Sequence, residues 1–255
     1  MARRTKEKVG LLDADIIAYQ ISAVNELRVD WDSNGDITQY PNTLADVTAQ
    51  VDKHIGELMA QLKFDRVIIC LTDKENFRKE ILSSYKANRA GALKPVLLSD
   101  LKEYMANNYD SYQRPKLEAD DVMGILATHP TLIPGSKCIV SIDKDMKQIP
   151  SYVFNPDKDL TPKRIREKEA NRLHYIQTLT GDAVDGYTGI PGVGPKKAET
   201  ILNGHDGTEW ERIVKAYEHK GLTEADALVQ AQVARICRAE DYNFEKAEVI
   251  PWMPK

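Results

Sequence analysis

Cys138-Ile-Val-Ser-Ile142-Asp143-Lys-Asp145 is a short, β-branched-rich run that ends on two acids, and its reading decides the fold. A run of this kind with helical patterning after it reads as a strand buried in a parallel sheet. Two further stretches repeat the pattern: Lys8-Val-Gly-Leu-Leu12, followed by Asp13, and Val67-Ile-Ile-Cys-Leu71, followed by Thr72 and Asp73. In open α/β sheets, sites form outside the carboxyl ends of the strands. One Asp at a strand end is an ordinary helix cap or turn residue. Three strands that end alike point to one acidic sheet edge.

Outward from these strands, Val29 to Tyr40 alternates around Asn34-Gly35, which predicts a hairpin or edge ribbon. Leu44, Val47, Val51, Ile55, Leu58 and Leu62 then recur at three- and four-residue steps, the spacing of a helix with one apolar face. The Lys74–Lys94 stretch carries six Lys/Arg against two Glu, +4, and leaves directly from the acidic end of the second strand. Helices are predicted over Ser99–Asn108 and Leu117–Ala127, the second with Glu118, Asp120 and Asp121 in its first turn, where acids suit the helix dipole. Pro150, Pro156 and Pro162 break the chain, and Asn155–Pro162 is the predicted boundary between a sheet domain and a helical one. Beyond it, Arg164–Leu179, Lys196–Leu202 and Thr223–Tyr242 read as helices, the last opened by the capping box Thr223-x-x-Asp226.

The 255 residues are 42% apolar and 29% charged, a composition that excludes disorder and coiled coil. No apolar run approaches the roughly 18 residues of a membrane-spanning helix. The basic start, Met1 to Lys8, is not followed by the apolar stretch of a secretory signal, so a cytoplasmic protein is expected. Cys70, Cys138 and Cys237 are widely spaced and odd in number, which fits reduced thiols. Without Cys-x-x-Cys, a structural zinc site is not expected. The formal charge of −4 argues, at first sight, against a nucleic-acid partner.

The acids supply the chemistry. Asp13, Asp73, Glu118, Asp120, Asp121, Asp143, Asp145, Asp182 and Asp185 all fall near predicted strand ends or helix starts. Carboxylates crowded into a low-dielectric cleft cannot all ionise unless cations neutralise them. All-oxygen ligation indicates Mg²⁺ or Mn²⁺, and the chemistry such ions serve is phosphoryl transfer. The segment after Asp185, Gly186-Tyr-Thr-Gly189-Ile-Pro191-Gly192-Val-Gly194-Pro195-Lys196-Lys197, is neither a Walker A loop nor a dinucleotide fingerprint. It fits a helix-hairpin-helix, in which backbone N–H groups and a helix N-terminus meet a DNA phosphate and Lys196 and Lys197 add charge.

Leu11-Leu-Asp13-Ala-Asp15 also resembles the nucleophile motif of haloacid dehalogenase-type phosphatases. That reading leaves the Glu118–Asp121 and Asp143–Asp145 acids unexplained. Six motifs in order instead resemble the flap endonuclease or 5′-nuclease family, most of all its short-tailed-phage 5′→3′ exonucleases. They are Leu12-Asp13, Thr72-Asp73, Tyr85-Lys86-Ala-Asn-Arg89, Leu117-Glu118-Ala-Asp120-Asp121-Val, Ser141-Ile-Asp143-Lys-Asp145 and Gly181-Asp182-x-x-Asp185 running into Gly189-Ile-Pro-Gly192-Val-Gly194.

The resemblance implies a PIN-like α/β domain, a mostly parallel sheet with flanking helices and an arch, followed by a helical domain built on a helix-three-turn-helix. The implied division is a disordered basic tail at 1–8, a nuclease domain at 9–155 with its arch at about 74–116, and a DNA-binding domain at 156–255. It implies two or more Mg²⁺ or Mn²⁺ ions. Asp13, Asp73, Glu118 and Asp120 would serve the first, and Asp121, Asp143, Asp145, Asp182 and Asp185 the second. A K⁺ ion is expected at the Gly189–Gly194 hairpin. Lys86 and Arg89 match the arch residues that contact the scissile phosphate.

Further DNA contacts are expected from Arg78, Lys94, Gly192, Gly194, Lys196 and Lys197. Tyr85 either stacks on a terminal base or is a buried aromatic. The implied activity is 5′→3′ exonuclease with flap endonuclease and RNase H-like action, on double-stranded DNA with 5′ ends or flaps and on RNA–DNA hybrid, in replication, recombination or primer removal. The alternatives are a PIN-type ribonuclease and a non-catalytic helix-hairpin-helix binder. Setting the nine proposed ligands aside leaves 30 acids against 35 basic residues, so a DNA-binding surface around an acidic cleft is compatible with the charge.

Overall fold

The computed structural model describes residues 6–33 and 35–254. Strand β1 (Lys8–Asp13) runs into helix α1 (Ala14–Val24), and the ribbon β2 (Glu26–Asp30) and β3 (Ile37–Pro41) leads to α2 (Leu44–Leu62). Then follow β4 (Arg66–Cys70), the short α3 (Arg78–Ile81), α4 (Leu98–Asn108), β5 (Ser111–Tyr112), α5 (Ala119–Thr128), β6 (Ser136–Val140), β7 (Tyr152–Phe154) and β8 (Lys163–Arg164). Helices α6 (Glu167–Thr180), α7 (Pro195–Leu202), α8 (Glu209–Glu218) and α9 (Glu224–Ala234) come next, and a small ribbon, β9 (Tyr242–Asn243) with β10 (Glu248–Val249), ends the chain. Of the expected basic tail at 1–8, residues 1–5 lie outside the described residues, and Lys8 already opens β1.

The main sheet has the order β5-β4-β1-β6-β7-β8, parallel except where β8 turns antiparallel to β7. The three strands read from sequence are its centre, with β1 between β4 and β6. Their side chains alternate between two apolar layers, as a strand covered on both faces requires. Val9, Leu11, Ile68, Cys70 and Ile139 face α5, whereas Leu12, Val67, Ile69, Cys138 and Val140 face α1, α2 and α4. Helix α2 turns Val47, Val51, Ile55 and Leu58 to the sheet, the stripe its sequence spacing requires. Thr43 caps its start by accepting from the Asp46 N–H, and Lys63 ends it in the left-handed conformation.

Helices α6 to α9 enclose a second core around Leu179, Ile190, Trp210, Ile213 and Tyr217. Two features depart from the sequence reading. Helix α8, which Trp210, Ile213 and Tyr217 bind to this core, was not among the predicted helices. The helix expected over Thr223–Tyr242 stops at Ala234, because Arg235 turns extended and the chain returns to the sheet domain. There Ile236, Cys237 and Tyr242 join the first core. Gly124 of α5 admits this return, since a Cβ on it would meet the Cys237 carbonyl oxygen at 2.2 Å. Through Ile236, Cys237, Tyr242 and Val249, residues 235–250 therefore pack with the sheet half. Among the described residues, no helix is long and apolar enough to cross a membrane.

Candidate active site

The carboxyl ends of β1, β4 and β6 open into a cleft of about 900 Å³. Eight of the nine singled-out acids line it: Asp13, Asp73, Glu118, Asp120, Asp143, Asp145, Asp182 and Asp185. Local structure fixes most of them. Asp13 ends β1 and caps α1, accepting from the Ile16 N–H at 3.2 Å, and lines the cleft from that position. Ser141 Oγ donates to its other oxygen at 2.9 Å, and accepts in turn from the Asp143 N–H at 3.1 Å. Asp73 accepts from the Lys116 N–H at 2.8 Å, while Thr72 Oγ1 accepts from the Ala119 N–H and ties the start of α5 to the end of β4. Asp145 is held by Gln177 of α6 at 2.7 Å, and Asp182 accepts from the Val184 and Asp185 N–H groups in a tight turn.

Charge divides these acids into two kinds. Burial, reinforced by Asp15 and Asp143, pushes Asp13 up to about 7. Burial also drives Asp120 well above the carboxylate range, with Asp13, Asp143 and Glu118 adding to it. Asp145 rises to about 6 through burial and its neighbour Asp143. Glu118 behaves in the opposite way: burial would raise it, but Arg78 and Lys86 outweigh that and hold it at about 2. The basic side chains of the arch segment sit on the outer acids. Lys86 Nζ pairs closely with Glu118 and lies 3.7 Å from Asp185 Oδ2, and Arg89 Nη2 is 2.6 Å from Asp185 Oδ1.

The donor set suits hard divalent cations. It is all oxygen, and its inner members Asp13, Asp120 and Asp145 carry the repulsion of crowded carboxylates with no basic side chain strong enough to reverse it. Among the described residues, no three acidic, His or Cys side chains converge on one point at ligand distances. Lys86 and Arg89 occupy the outer oxygens, so cations entering here would displace those ammonium and guanidinium groups.

Two expectations are corrected by the geometry, and a third is decided between its two readings. Asp121 is fully buried and faces away from the cleft. Its two oxygens accept from Arg78 at 2.7 Å each and from the Cys237 and Glu118 N–H groups, which leaves it no geometry for a metal. Arg78 is only 3% exposed, and its guanidinium is taken up by Asp121, Glu118 and two backbone carbonyls in place of the DNA contact expected of it. Tyr85 is buried too, donating from its hydroxyl to Glu118 at 2.7 Å, so of the two readings offered for it the buried aromatic holds.

The arch is also shorter than expected. From Leu98 onward the chain is α4, whose Leu101 and Met105 belong to the core. The remaining strap is pinned at one end to the Asp182–Gly186 turn, by the Lys86 N–H to the Asp185 carbonyl and by Asn88 to the Val184 carbonyl. Its other end is held by the β2–β3 ribbon, through Gln39 to the Lys94 carbonyl and the Val96 N–H to Glu26. Lys94 lines the cleft beside Lys74 and Lys102. Asp15, the second acid of the Leu11–Asp15 motif, pairs with Lys102 at 2.7 Å. Ser141, Thr72, Gln177 and Lys102 position the acids but were not singled out, because only folding shows which polar residues meet them.

The predicted hairpin joins α6 to α7. Gly181 and Gly189 pack backbone to backbone, both at positive φ, and a Cβ on Gly181 would lie 2.3 Å from the Thr188 carbonyl carbon. This closure presents Gly192, Gly194, Lys196 and Lys197 on the exposed start of α7, outside the cleft, with open space over both glycines.

The sequence matches the family described as 5'-3' exonuclease, N-terminal resolvase-like domain, over residues 11–171. It is 33% identical to an exodeoxyribonuclease of Enterobacteria phage T3 and 34% identical to an exonuclease of Escherichia phage T7, in each case across 74% of both chains. A flap endonuclease of Shewanella halifaxensis is 31% identical over 62% of this chain and 68% of its own. In fold, the chain is similar to a T5 5′-exonuclease with bound zinc, at a TM-score of 0.59 and 15% identity over 89% of this chain and 93% of the other. A T5 flap endonuclease in a complex with DNA and metal ions gives the same TM-score at 14% identity.

Proposed function

The chain belongs to the 5′-3′ exonuclease family, and from that premise we propose that it hydrolyses phosphodiesters near DNA 5′ ends at the carboxylate cleft. It is a metal-dependent 5′→3′ exonuclease and flap endonuclease. The observation that carries the site assignment is the concentration of eight acids at one sheet edge beside a basic strap. Asp13, Asp73, Glu118 and Asp120 would hold one Mg²⁺ or Mn²⁺, and Asp143, Asp145, Asp182 and Asp185 a second; Asp121 is not included. Bound there, the cations would supply Lewis-acid activation of a water and neutralise charge on the leaving 3′ oxygen.

The protein's own part is positioning and charge. Lys86 and Arg89, released from Glu118 and Asp185, are placed to offset charge on the phosphate oxygens as the P–O3′ bond breaks. The exposed hairpin at Gly192–Lys197 offers backbone N–H groups and two ammonium groups to the duplex backbone, which reads phosphate and not sequence. We assign a K⁺ ion to the Gly189–Gly194 hairpin on the same reading. The sheet domain would then cut while residues 156–234 hold duplex. RNA–DNA hybrid is included in the proposed substrate range.

Incubation with 5′-labelled duplex, flap and RNA–DNA hybrid, in Mg²⁺ and then in chelator, tests the proposal. Short 5′-phosphorylated products in Mg²⁺ and none in chelator are expected. Cleavage confined to RNA would return the protein to the ribonuclease reading, and binding without cleavage would make it an accessory factor.

A further inference from the structure

We propose that Arg78 is a positioning residue that locks the duplex-holding helices to the carboxylate cleft, in place of the DNA contact its sequence suggested. The inference rests on the 5′-nuclease function proposed above and deepens it. Arg78 stands on α3, at the root of the strap, and all five of its guanidinium N–H groups have acceptors, at the start of α5 and at the carboxyl end of α9. Nη1 and Nη2 donate to Asp121 of α5 at 2.7 Å each, and Nη1 also reaches Glu118 at 3.2 Å. Nε donates to the Val233 carbonyl at 2.9 Å and Nη2 to the Arg235 carbonyl at 2.6 Å, both at the carboxyl end of α9.

These acceptors make one guanidinium a buried joint between the two halves, beside the Gln177–Asp145 and Lys86–Asp185 bonds. Helix α9 belongs to the helical core through Ala227 and Ala231, whereas α5 carries Glu118 and Asp120 into the cleft. Orphan carbonyls at a helix end need donors, and here the donor comes from a residue 155 positions earlier. Asp121 completes the joint by accepting from the Cys237 N–H at 2.9 Å, just where the chain leaves α9 for the sheet domain. Lysine in place of Arg78 would keep the charge, but its single ammonium cannot span a carboxylate and two carbonyls on different helices. The hairpin and the acids would then keep only the outer ties, such as Gln177–Asp145 and Lys86–Asp185, and lose the one at the root of α5, while every proposed phosphate contact stayed in place.

Single-turnover cleavage and duplex binding of Arg78→Lys, measured on the full chain in Mg²⁺ per folded molecule, separate the roles. A misplacement of about 1 Å costs on the order of 10²-fold in rate, so a loss of that size is expected. Duplex Kd and the slope of log Kd against log salt should match wild type. In the charge-free double variant Arg78→Met with Asp121→Asn, a weaker Kd with a slope reduced by about 0.9 would make Arg78 a phosphate contact and overturn the proposal. An unchanged rate with a lower Tm would overturn it too, leaving Arg78 a packing residue only.

Arg78→Met with Asp121→Asn removes the buried charges together, a change such pairs often tolerate. This double variant should remain slow, and wild-type rates from it would also overturn the proposal. An inactive wild-type protein would instead count against the nuclease reading itself.

Discussion

Asp120 and Asp121 are neighbours in the first turn of α5, and they meet opposite electrostatic fates. Asp121 turns into the joint between the domains and finds Arg78 in a two-pronged pair, with two backbone N–H groups completing its shell. Asp120 turns into the cleft, where burial and the carboxylates of Asp13 and Asp143 push its proton affinity far up. A buried charge with matched partners is a structural device, because removing either partner leaves the other stranded. A buried charge without them is unstable as it stands and is kept for what it binds. One residue of helix, about 100° of rotation, separates the two roles.

The largest effect should come from the cleft side of this contrast. Asp120→Asn, or Asp143→Asn with Asp145→Asn, should lower cleavage at least ~10³-fold, as loss of catalytic charge stabilisation does, with duplex binding largely intact. Cleavage assays with matched binding titrations check this, and an active double variant would end the two-metal assignment. Lys86→Ala should come next, with a rate loss of about 10²-fold and little change in duplex affinity. Equal losses in rate and affinity would make Lys86 an affinity residue only.

Stability should reverse the order of the two neighbours. Asp121→Asn strips the Arg78 guanidinium of its two-pronged partner, leaving only the single contact to Glu118 at 3.2 Å, and should cost about 3 kcal/mol in urea unfolding. Asp120→Asn relieves repulsion in the metal-free protein and should leave its stability unchanged or raise it. Addition of Mg²⁺ should then raise the Tm of wild type more than that of Asp120→Asn, since a ligand stabilises only the state that binds it. Should Asp120→Asn prove the more destabilised of the two, the division between satisfied and unsatisfied acids would fail.

What could be read from the sequence follows the same division. The central strands were legible because β1, β4 and β6 are buried on both faces and write that burial as continuous apolar runs. The acids of the cleft were legible because strand ends and helix starts announce themselves locally. The fate of Asp121 was not, since it depends on Arg78, 43 residues away, and on the Cys237 N–H, 116 residues away. The end of α9 was missed for a related reason: Arg235 leaves the helix with its carbonyl accepting from Arg78, 157 residues away, a long-range gain that helical periodicity cannot register. Helix α8 was missed although Thr208 and Glu211 form a capping box at its start, a signal of the kind read correctly at Thr223.

His174 extends the contrast to the helical half and carries the smallest prediction. It is buried in α6, with Nε2 2.8 Å from the Ala231 carbonyl and its ring against Trp252. Burial, helped by the like charge of Arg235, lowers its pKa to about 3, so the folded protein keeps it neutral while the unfolded chain takes up a proton near pH 6.5. Between those two values the unfolded state binds more protons, and stability must fall as the pH falls. The slope from this one group is about 1.4 kcal/mol per pH unit, and it vanishes above pH ~7, where neither state is protonated. Asp13 and Asp145, held high in the fold, favour it as the pH falls in both proteins, so the His174 contribution is read as a difference: from pH 7 to 5 the urea midpoint of wild type should drop relative to that of His174→Gln, whose amide can still donate to the Ala231 carbonyl. Parallel courses of the two midpoints would mean that His174, unlike Asp120, is a buried polar group whose single hydrogen bond suffices in either charge state.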